Sequence, residues 1–308
     1  MSKYKVGLVV KESRRREGLT QNELSSRLDK LEPLTISRLE NGVQNTTREN
    51  LSHLMGELKP PVTLLNSHAK PVEYIRAQLE AIVKEHIVEG DYEIKELLKD
   101  YRSCCDTMDY LEEQFCLYAE ALCERRQGMN MSCLLQKYMD ALKKTFKGFS
   151  FETDLSKHML SEQETKLIIC IADCLYNDER KDVAITVLQS LNSYYHVQEV
   201  EIEEYANDYP YMAYLLVTWL NAQKDCNKAL SVANEAISCC IRYGKMTYLF
   251  ELLYEKGFAL FSIGNIKDGK VAVAHSFAGL EETGKKDILD LYRRELTVSF
   301  GDFVLEGI

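Results

Sequence analysis

The sequence predicts an all-α chain, with a small N-terminal bundle of short helices followed by a long solenoid of stacked helix pairs. Three observations carry that prediction. Of 308 residues only 15 are Gly and 5 are Pro, too few for the many tight turns of a sandwich or barrel. Residues 1–58 divide into short apolar-periodic segments separated by helix-capping signals. From residue 72 onward, apolar residues recur at steps of three and four, and no alternating strand segment interrupts them. A hydrophobic share of 45% with a charged share of 28% suits a well-filled core under a wet surface.

The elements follow in order. Residues 4–17 form the first predicted helix, with Val6, Val9 and Val10 as its apolar stripe and Gly18 as its stop. Thr20 and Glu23 have the spacing of a capping box, which opens a second helix carrying Leu24 and Leu28 on one face. A turn at Asp29–Glu32 leads to Pro33, suited to the first turn of a third helix whose inward residues are Leu34 or Ile36, and Leu39. Asn41-Gly42 ends it. Thr46 with Glu49 marks another capping box, and Leu51, Leu54 and Leu58 mark a fourth helix.

Several short helices with a tight turn between the second and third match the helix-turn-helix plan. The string Arg14-x-x-x-Gly18-Leu19-Thr20-Gln21-x-x-Leu24, followed by Ile36-Ser37-Arg38-Leu39-Glu40-Asn41-Gly42, resembles the Xre/Cro-repressor family. Two features depart from that pattern: the turn between helices is one residue longer, and Glu32-Pro33 stands where small polar residues often open the recognition helix. The resemblance implies that the third helix enters the major groove of double-stranded DNA. Thr35, Ser37 and Arg38 are then candidates for base edges, and Gln21, at a helix start, for the phosphate backbone. Arg14 and Glu40 resemble a pair that ties helix one to helix three. One short helix reads few bases, so a homodimer on two half-sites is expected.

Lys59-Pro60-Pro61 halts the fourth helix and Lys70-Pro71 marks a second break, so residues 59–72 read as a linker between a DNA-binding domain at 1–58 and a helical body at 73–308. Short polar turns at Glu89–Tyr92, Asn177–Arg180 and Gly264–Lys267 divide the body into helix pairs. The clearest unit, residues 249–284, reads Tyr254-x-x-Gly257-x-x-Leu260-x-x-x-Gly264-Asn265-Ile266-x-x-Gly269-x-x-x-Val273 and resembles the tetratricopeptide repeat. Residues 211–244 and 165–195 give fainter copies; their small residues Ala184, Ala229 and Gly269 are 45 and 40 apart. Such pairs bury their apolar faces only by stacking, which creates a TPR-like α-solenoid with a concave surface. The first-helix residues expected to face inward are Ile169, Asp173, Tyr176 and Asn177, then Tyr211, Tyr214, Thr218 and Asn221, then Glu251, Tyr254, Phe258 and Phe261. Rings can take side chains and amides can pair with a backbone, so Asp173, Tyr176, Asn177, Tyr214, Asn221, Tyr254 and Phe258 are the candidate peptide-binding set.

An Xre-type head on such repeats resembles the peptide-pheromone regulators of Gram-positive bacteria, the PlcR/Rgg/PrgX group. That resemblance spans essentially the whole chain and implies a quorum-sensing transcription regulator controlled by a short signalling peptide. Asp173 stands where the group would have an asparagine. The competing reading is an interaction scaffold whose solenoid sequesters a folded partner such as a response regulator.

Charge divides in the same sense. Residues 1–59 carry a net charge of +3 and the remainder −13, so a mildly basic head precedes an acidic body. The sequence shows no secretory leader and no apolar run long enough to span a bilayer, which predicts a soluble, cytoplasmic protein without membrane contact. Ten cysteines form no C-x-x-C pair and read as small buried hydrophobes of a reducing compartment, a redox or dimer-linking role for one of them being the alternative. The six histidines are scattered. No Walker loop, nucleophile elbow or paired metal-ligand motif is present, so no enzyme, metal or cofactor is expected.

Overall fold

The computed structural model describes residues 3–28, 31–41, 48–58, 75–76, 79–80, 91–104, 109–197 and 208–307. Among them every regular element is helical. The contacts divide the chain into two compact units, Met1–Asp109 and Tyr110–Ile308. The division falls later than the composition break at 59–72, which lies outside the described residues together with the Asp29 and Gly90 turn residues and Thr46.

In the first unit, α1 (Lys3–Arg16), α2 (Gln21–Arg27), α3 (Pro33–Glu40) and α4 (Arg48–Leu58) surround one small core. Val10, Leu24, Leu28, Leu31, Ile36, Leu39, Leu54 and Leu58 fill it. The phase of α3 is now fixed: Ile36 is fully buried, whereas Leu34 is 57% exposed. The side chains of Val6, Val9 and Leu51 lie outside the described set. Thr20 caps α2 as expected, accepting from the Glu23 amide at 3.2 Å while the Glu23 carboxylate accepts from the Thr20 amide at 2.7 Å. Gly7 carries a constraint that its place in a helix interior conceals. A Cβ there would collide with the Leu39 carbonyl oxygen, so α1 and α3 cross at backbone contact. Helix α5 (Asp91–Cys104) also belongs to this unit, where the Tyr101 hydroxyl accepts from Arg76 Nη1 at 3.4 Å.

The second unit is a series of helix pairs: α6 (Tyr110–Arg126) with α7 (Met131–Leu142), α8 (Glu162–Asn177) with α9 (Lys181–Val197), α10 (Tyr209–Ala222) with α11 (Cys226–Arg242), α12 (Leu249–Ser262) with α13 (Ile266–Glu282), and a closing α14 (Lys286–Phe300). Each intra-pair turn needs one residue at positive φ, two positions past the end of the first helix. These are Gly128 at +78°, Glu179 at +62°, Lys224 at +64° and Gly264 at +82°. In the middle two pairs a charged residue occupies a conformation that favours glycine, at a strain of roughly 1 kcal/mol each. The repeat is therefore more regular in backbone than in sequence. Within the last pair the helices touch closely: a Cβ on Gly257 would lie 2.5 Å from Val273 Cγ2, and one on Gly269 would lie 2.6 Å from the Phe261 ring. Cys116, Cys123, Cys174, Cys226 and Cys240 are buried, while Cys133 is an exposed free thiol.

Candidate functional site

Two regions gather the residues singled out in the sequence, one in each unit. In the first unit, α3 is anchored from behind by charge. The Arg14 guanidinium holds both Glu40 oxygens, Nε to Oε1 at 2.6 Å and Nη2 to Oε2 at 2.9 Å, and its Nη1 donates to the Leu19 carbonyl at 2.6 Å. The forked geometry matches guanidinium to carboxylate, and the hydrogen bonds that Arg14 donates to Glu40 hold its pKa above its ordinary value despite desolvation. Gln21 joins the same node, its Nε2 donating to Glu40 Oε2 at 2.7 Å, so one of its two amide hydrogens is committed inside the fold. With Ile36, Leu39 and Glu40 buried, the opposite side of α3 presents Leu34 and Arg38, both exposed, with Thr35 and Ser37 half-buried beside them. Arg15 and Arg16 are exposed, and Arg16 pairs with Glu12 at 3.0 Å. The head thus offers a rigidly backed helix whose open face carries hydroxyls and one guanidinium.

In the second unit, the first helices of successive pairs are linked along one face by rings and polar bonds. Tyr176 of α8 stacks on Trp219 of α10 with centroids 4.3 Å apart and planes 6° apart. Tyr214 of α10 stacks on Tyr248, just before α12, at 5.4 Å, and Tyr211 meets the same ring at 5.0 Å. Tyr254 of α12 stacks on Tyr292 of α14 at 3.6 Å and 2°. Tyr248 has φ of +62°, left-handed backbone for a bulky residue, and this conformation carries its ring toward both α10 tyrosines.

Polar links follow the same line. Thr218 Oγ1 donates to Glu255 Oε1 at 2.9 Å; Asn221 Nδ2 donates to Glu255 Oε2 at 2.8 Å and to the Glu255 carbonyl at 3.0 Å. The Tyr254 hydroxyl donates to Glu295 at 2.8 Å, and the Tyr214 and Tyr292 hydroxyls lie 3.4 Å apart. Toward the α8 end, Arg125 of α6 pairs with Asp173, and Asn177 Nδ2 donates to Asp173 Oδ1 at 3.0 Å. Burial pushes the Tyr214 and Tyr254 hydroxyls above their ordinary pKa, and pushes the Cys174 thiol behind Asp173 up to about 12.

The seven candidate peptide residues therefore stand on one connected face, but not equally open. Asn177 is exposed, and Tyr176, Tyr214 and Phe258 are half-buried. Asp173 and Asn221 are buried at 7% and 6% exposure, and Tyr254 is fully enclosed within the core of the last repeats. Sequence reasoning overlooked Glu255 and Tyr292, which complete the network, and Trp219, which carries the Tyr176 stack. The helical spacing of Glu255 from Glu251 and of Trp219 from Leu216 was the available signal, and Tyr292, on the closing helix, had none of that kind. Among the described residues no group of three or more His, Cys, Asp or Glu is placed to hold a metal, and no helix is long and apolar enough to cross a membrane.

No family model matches the chain, and no curated protein matches it. Solved structures do. The chain is similar to Bacillus thuringiensis PlcR in complex with the peptide PapR7 and DNA, at TM-score 0.60 and 18% identity, with 93% of this chain and 99% of PlcR covered. It is similar to the Streptococcus dysgalactiae SHP pheromone receptor Rgg2 at TM-score 0.57 and 11% identity, with 96% and 99% covered. It is also similar to Streptococcus thermophilus ComR in complex with DNA and its signalling peptide ComS, at TM-score 0.53 and 13% identity, with 94% and 98% covered. The shared fold, a helix-turn-helix unit followed by helical repeats, extends over almost the full length of each.

Proposed function

We propose that the chain is a DNA-binding transcription regulator of the peptide-pheromone-sensing kind, acting as a homodimer and controlled by a short peptide on the first-helix face of its repeats. The observation that carries this reading is the conjunction of two separately built surfaces in one chain. The first is α3 backed by the Arg14–Glu40 fork; the second is the ring-lined face running from Tyr176 to Tyr292. Near full-length likeness to PlcR and ComR, each solved with DNA and a peptide, supports assigning one ligand to each surface.

In this reading Arg38, Thr35 and Ser37 meet base edges and Gln21 meets phosphate. Asn177, Tyr176, Tyr214 and Phe258 contact the peptide directly. Asp173, Asn221 and Tyr254, which are more enclosed, form the floor on which it rests. A peptide spanning several repeats favours one mutual rotation of the pairs and so shifts the population of DNA-competent dimers. The domain division at residues 59–72 belongs to the same proposal, as the segment that passes the change to the heads. Band-shift titration of the full-length protein on its own upstream region tests the DNA half. Arg38→Ala should weaken operator binding by about 1–3 kcal/mol at fixed salt, and unchanged affinity would remove α3 from the interface. Calorimetry with candidate peptides on wild type, Asn177→Ala and Tyr214→Phe tests the other half, and equal affinities across all three would place the peptide elsewhere.

A further inference from the structure

We propose that the ligand of the repeat face carries a cationic side chain, Lys or Arg, and seats it against Glu255, Glu251 and Asn221 beside the hydroxyls of Tyr214 and Tyr292. The inference deepens the peptide reading and rests on it. Glu251 and Glu255 stand one turn apart on α12, and Glu295 joins them from α14 through Tyr254. The Glu255 carboxylate is buried, yet its partners Thr218 and Asn221 are neutral, and among the described residues no ion pair reaches it or Glu295. Lys285 reaches only the edge of the cluster, donating to Glu251 Oε1 at 2.6 Å.

Two acceptors remain unmet inside the cluster. Glu251 Oε2 and Asn221 Oδ1 are both buried without a hydrogen-bond partner, on residues only 4% and 6% exposed. Native structures rarely leave such atoms unpaired unless something else completes them. Of the nearby hydroxyls, Tyr254 donates to Glu295 and one of Tyr214 and Tyr292 donates to the other, which leaves at most one hydroxyl hydrogen for two acceptors. A group rich in donors and free of acceptors, an ammonium or a guanidinium, completes both acceptors and also supplies the counter-charge that Glu255 lacks among the described residues. Stacked tyrosine faces favour the same charge. Lys285 on Glu251 shows that the cluster accepts an ammonium, and the position beside it, at Glu251 Oε2 and Glu255, is where the ligand's own cation fits.

Proton linkage follows from the surroundings of Glu255. Tyr214, Thr218 and Asn221 face it from α10, Glu251 and Tyr254 from α12, and Tyr292 and Glu295 from α14. Burial is the leading cause that lifts its pKa to about 7, and it also lifts these three tyrosines, so none of them titrates near neutrality. A bound cation favours the ionised carboxylate, so binding releases a proton and strengthens as pH rises.

Equilibrium dialysis of the full-length protein against two pools of short synthetic peptides provides the test. Both pools are N-acetylated, C-amidated and neutral, except that one holds a single lysine at each position in turn where the other holds norleucine; retained peptides are read by mass spectrometry. The lysine pool should be retained roughly tenfold over the norleucine pool at about pH 8, as a charge-assisted bond to a buried carboxylate implies. That preference should collapse in Glu255→Gln and Glu251→Gln. In wild type, but not in Glu255→Gln, retention should fall roughly tenfold from about pH 8 to about pH 6. Glutamine keeps the shape of Glu255, and a thermal melt establishes that the variant is folded. Were it unfolded, the Glu251 variant and the wild-type pH profile carry the test. Equal retention of both pools overturns the cation while leaving the peptide reading intact. Retention of neither pool overturns both.

Discussion

Replacing Glu255 with Gln should stabilise the free protein above neutral pH, which is unusual for the loss of a hydrogen-bonded carboxylate. The folded state holds this group's pKa at about 7, against an ordinary value of 4.5, because burial outweighs the two hydrogen bonds from Asn221 and Thr218. Below pH 4.5 the group is protonated whether the chain is folded or not, and contributes nothing to pH dependence. Between 4.5 and about 7 the unfolded chain has released the proton and the folded chain still holds it, so stability falls as pH rises. Above 7 the penalty is complete. At about 1.4 kcal/mol per pH unit, a gap of that width amounts to about 3 kcal/mol. Glutamine is always neutral: its Nε2 can donate to Thr218 Oγ1, whose own hydrogen then goes to the Tyr214 carbonyl at 2.9 Å, while its oxygen accepts from Asn221, so it avoids the penalty.

Paired thermal melts of wild type and Glu255→Gln across a pH series measure this directly. At about pH 8 the variant should melt roughly 6–12 °C higher, as about 3 kcal/mol implies for a unit of this size. At about pH 4.5 the two should coincide, and only the difference between them is informative because other groups titrate as well. A variant equally stable or less stable at every pH would refute the reasoning, showing that the hydrogen bonds to the ionised form outweigh its burial. The cation proposed above would recover this cost on binding, in line with the trade of stability for function at binding sites.

Further outcomes follow from the same geometry. Arg14→Ala should destabilise the N-terminal unit by roughly 3–5 kcal/mol, because it leaves the buried Glu40 carboxylate without its counter-charge, with only the neutral Gln21 amide donating to it; a double-mutant cycle with Glu40→Ala should return much of that loss. Gly257→Ala should lower the melting temperature of the repeat unit by the equivalent of about 1–3 kcal/mol, with Val273→Ala in the same chain giving partial relief, since Val273 Cγ2 is the atom met at 2.5 Å. Alkylation of the native protein by iodoacetamide, followed by peptide mapping, should label exposed Cys133 well before buried Cys174, whose thiol burial pushes up to about 12; equal labelling would contradict the packing around Asp173.

Local signals with short-range causes were legible in the sequence. The Thr20–Glu23 capping box formed as read because both partners lie within one turn and compete with nothing else. Leu34 and Ile36 could not be separated, since an apolar pair two apart in a helix of eight residues leaves its phase open until Leu39 and Leu24 pack against it. Gly7 escaped notice because the clash it avoids is with the Leu39 carbonyl, thirty-odd residues away in the sequence. The repeats looked faint because their small residues are unevenly spaced, 45 and 40 apart, and because Glu179 and Lys224 occupy positions that Gly128 and Gly264 hold in the neighbouring turns, so the turn conformation recurs where residue identity does not. Glu255 was passed over for a related reason: glutamate on a helix normally reads as a solvated face, and only Asn221 and Thr218 from the preceding pair show it to be enclosed.

The two ends of the repeat face differ in their electrostatic completeness, and that difference assigns them different work. At the α8 end, Asp173 already has its counter-charge in Arg125 and holds Asn177 as well, so its acceptors are engaged before any ligand arrives. A ligand there gains little from charge and reads mainly shape, against Tyr176 and its stack on Trp219. At the α12–α14 end, two carboxylates lack an ion-pair partner among the described residues, and two buried acceptor atoms have no hydrogen-bond partner at all. A buried site built to pair with a donor rejects ligands that lack one far more strongly than an apolar site rejects a missing methylene. In the proposed reading, discrimination among chemically similar peptides resides with Glu251, Glu255 and Asn221, while the aromatic end sets general affinity. Exchanging the two characters, by Arg125→Leu at one end or Glu255→Gln at the other, should change affinity at the first and selectivity at the second.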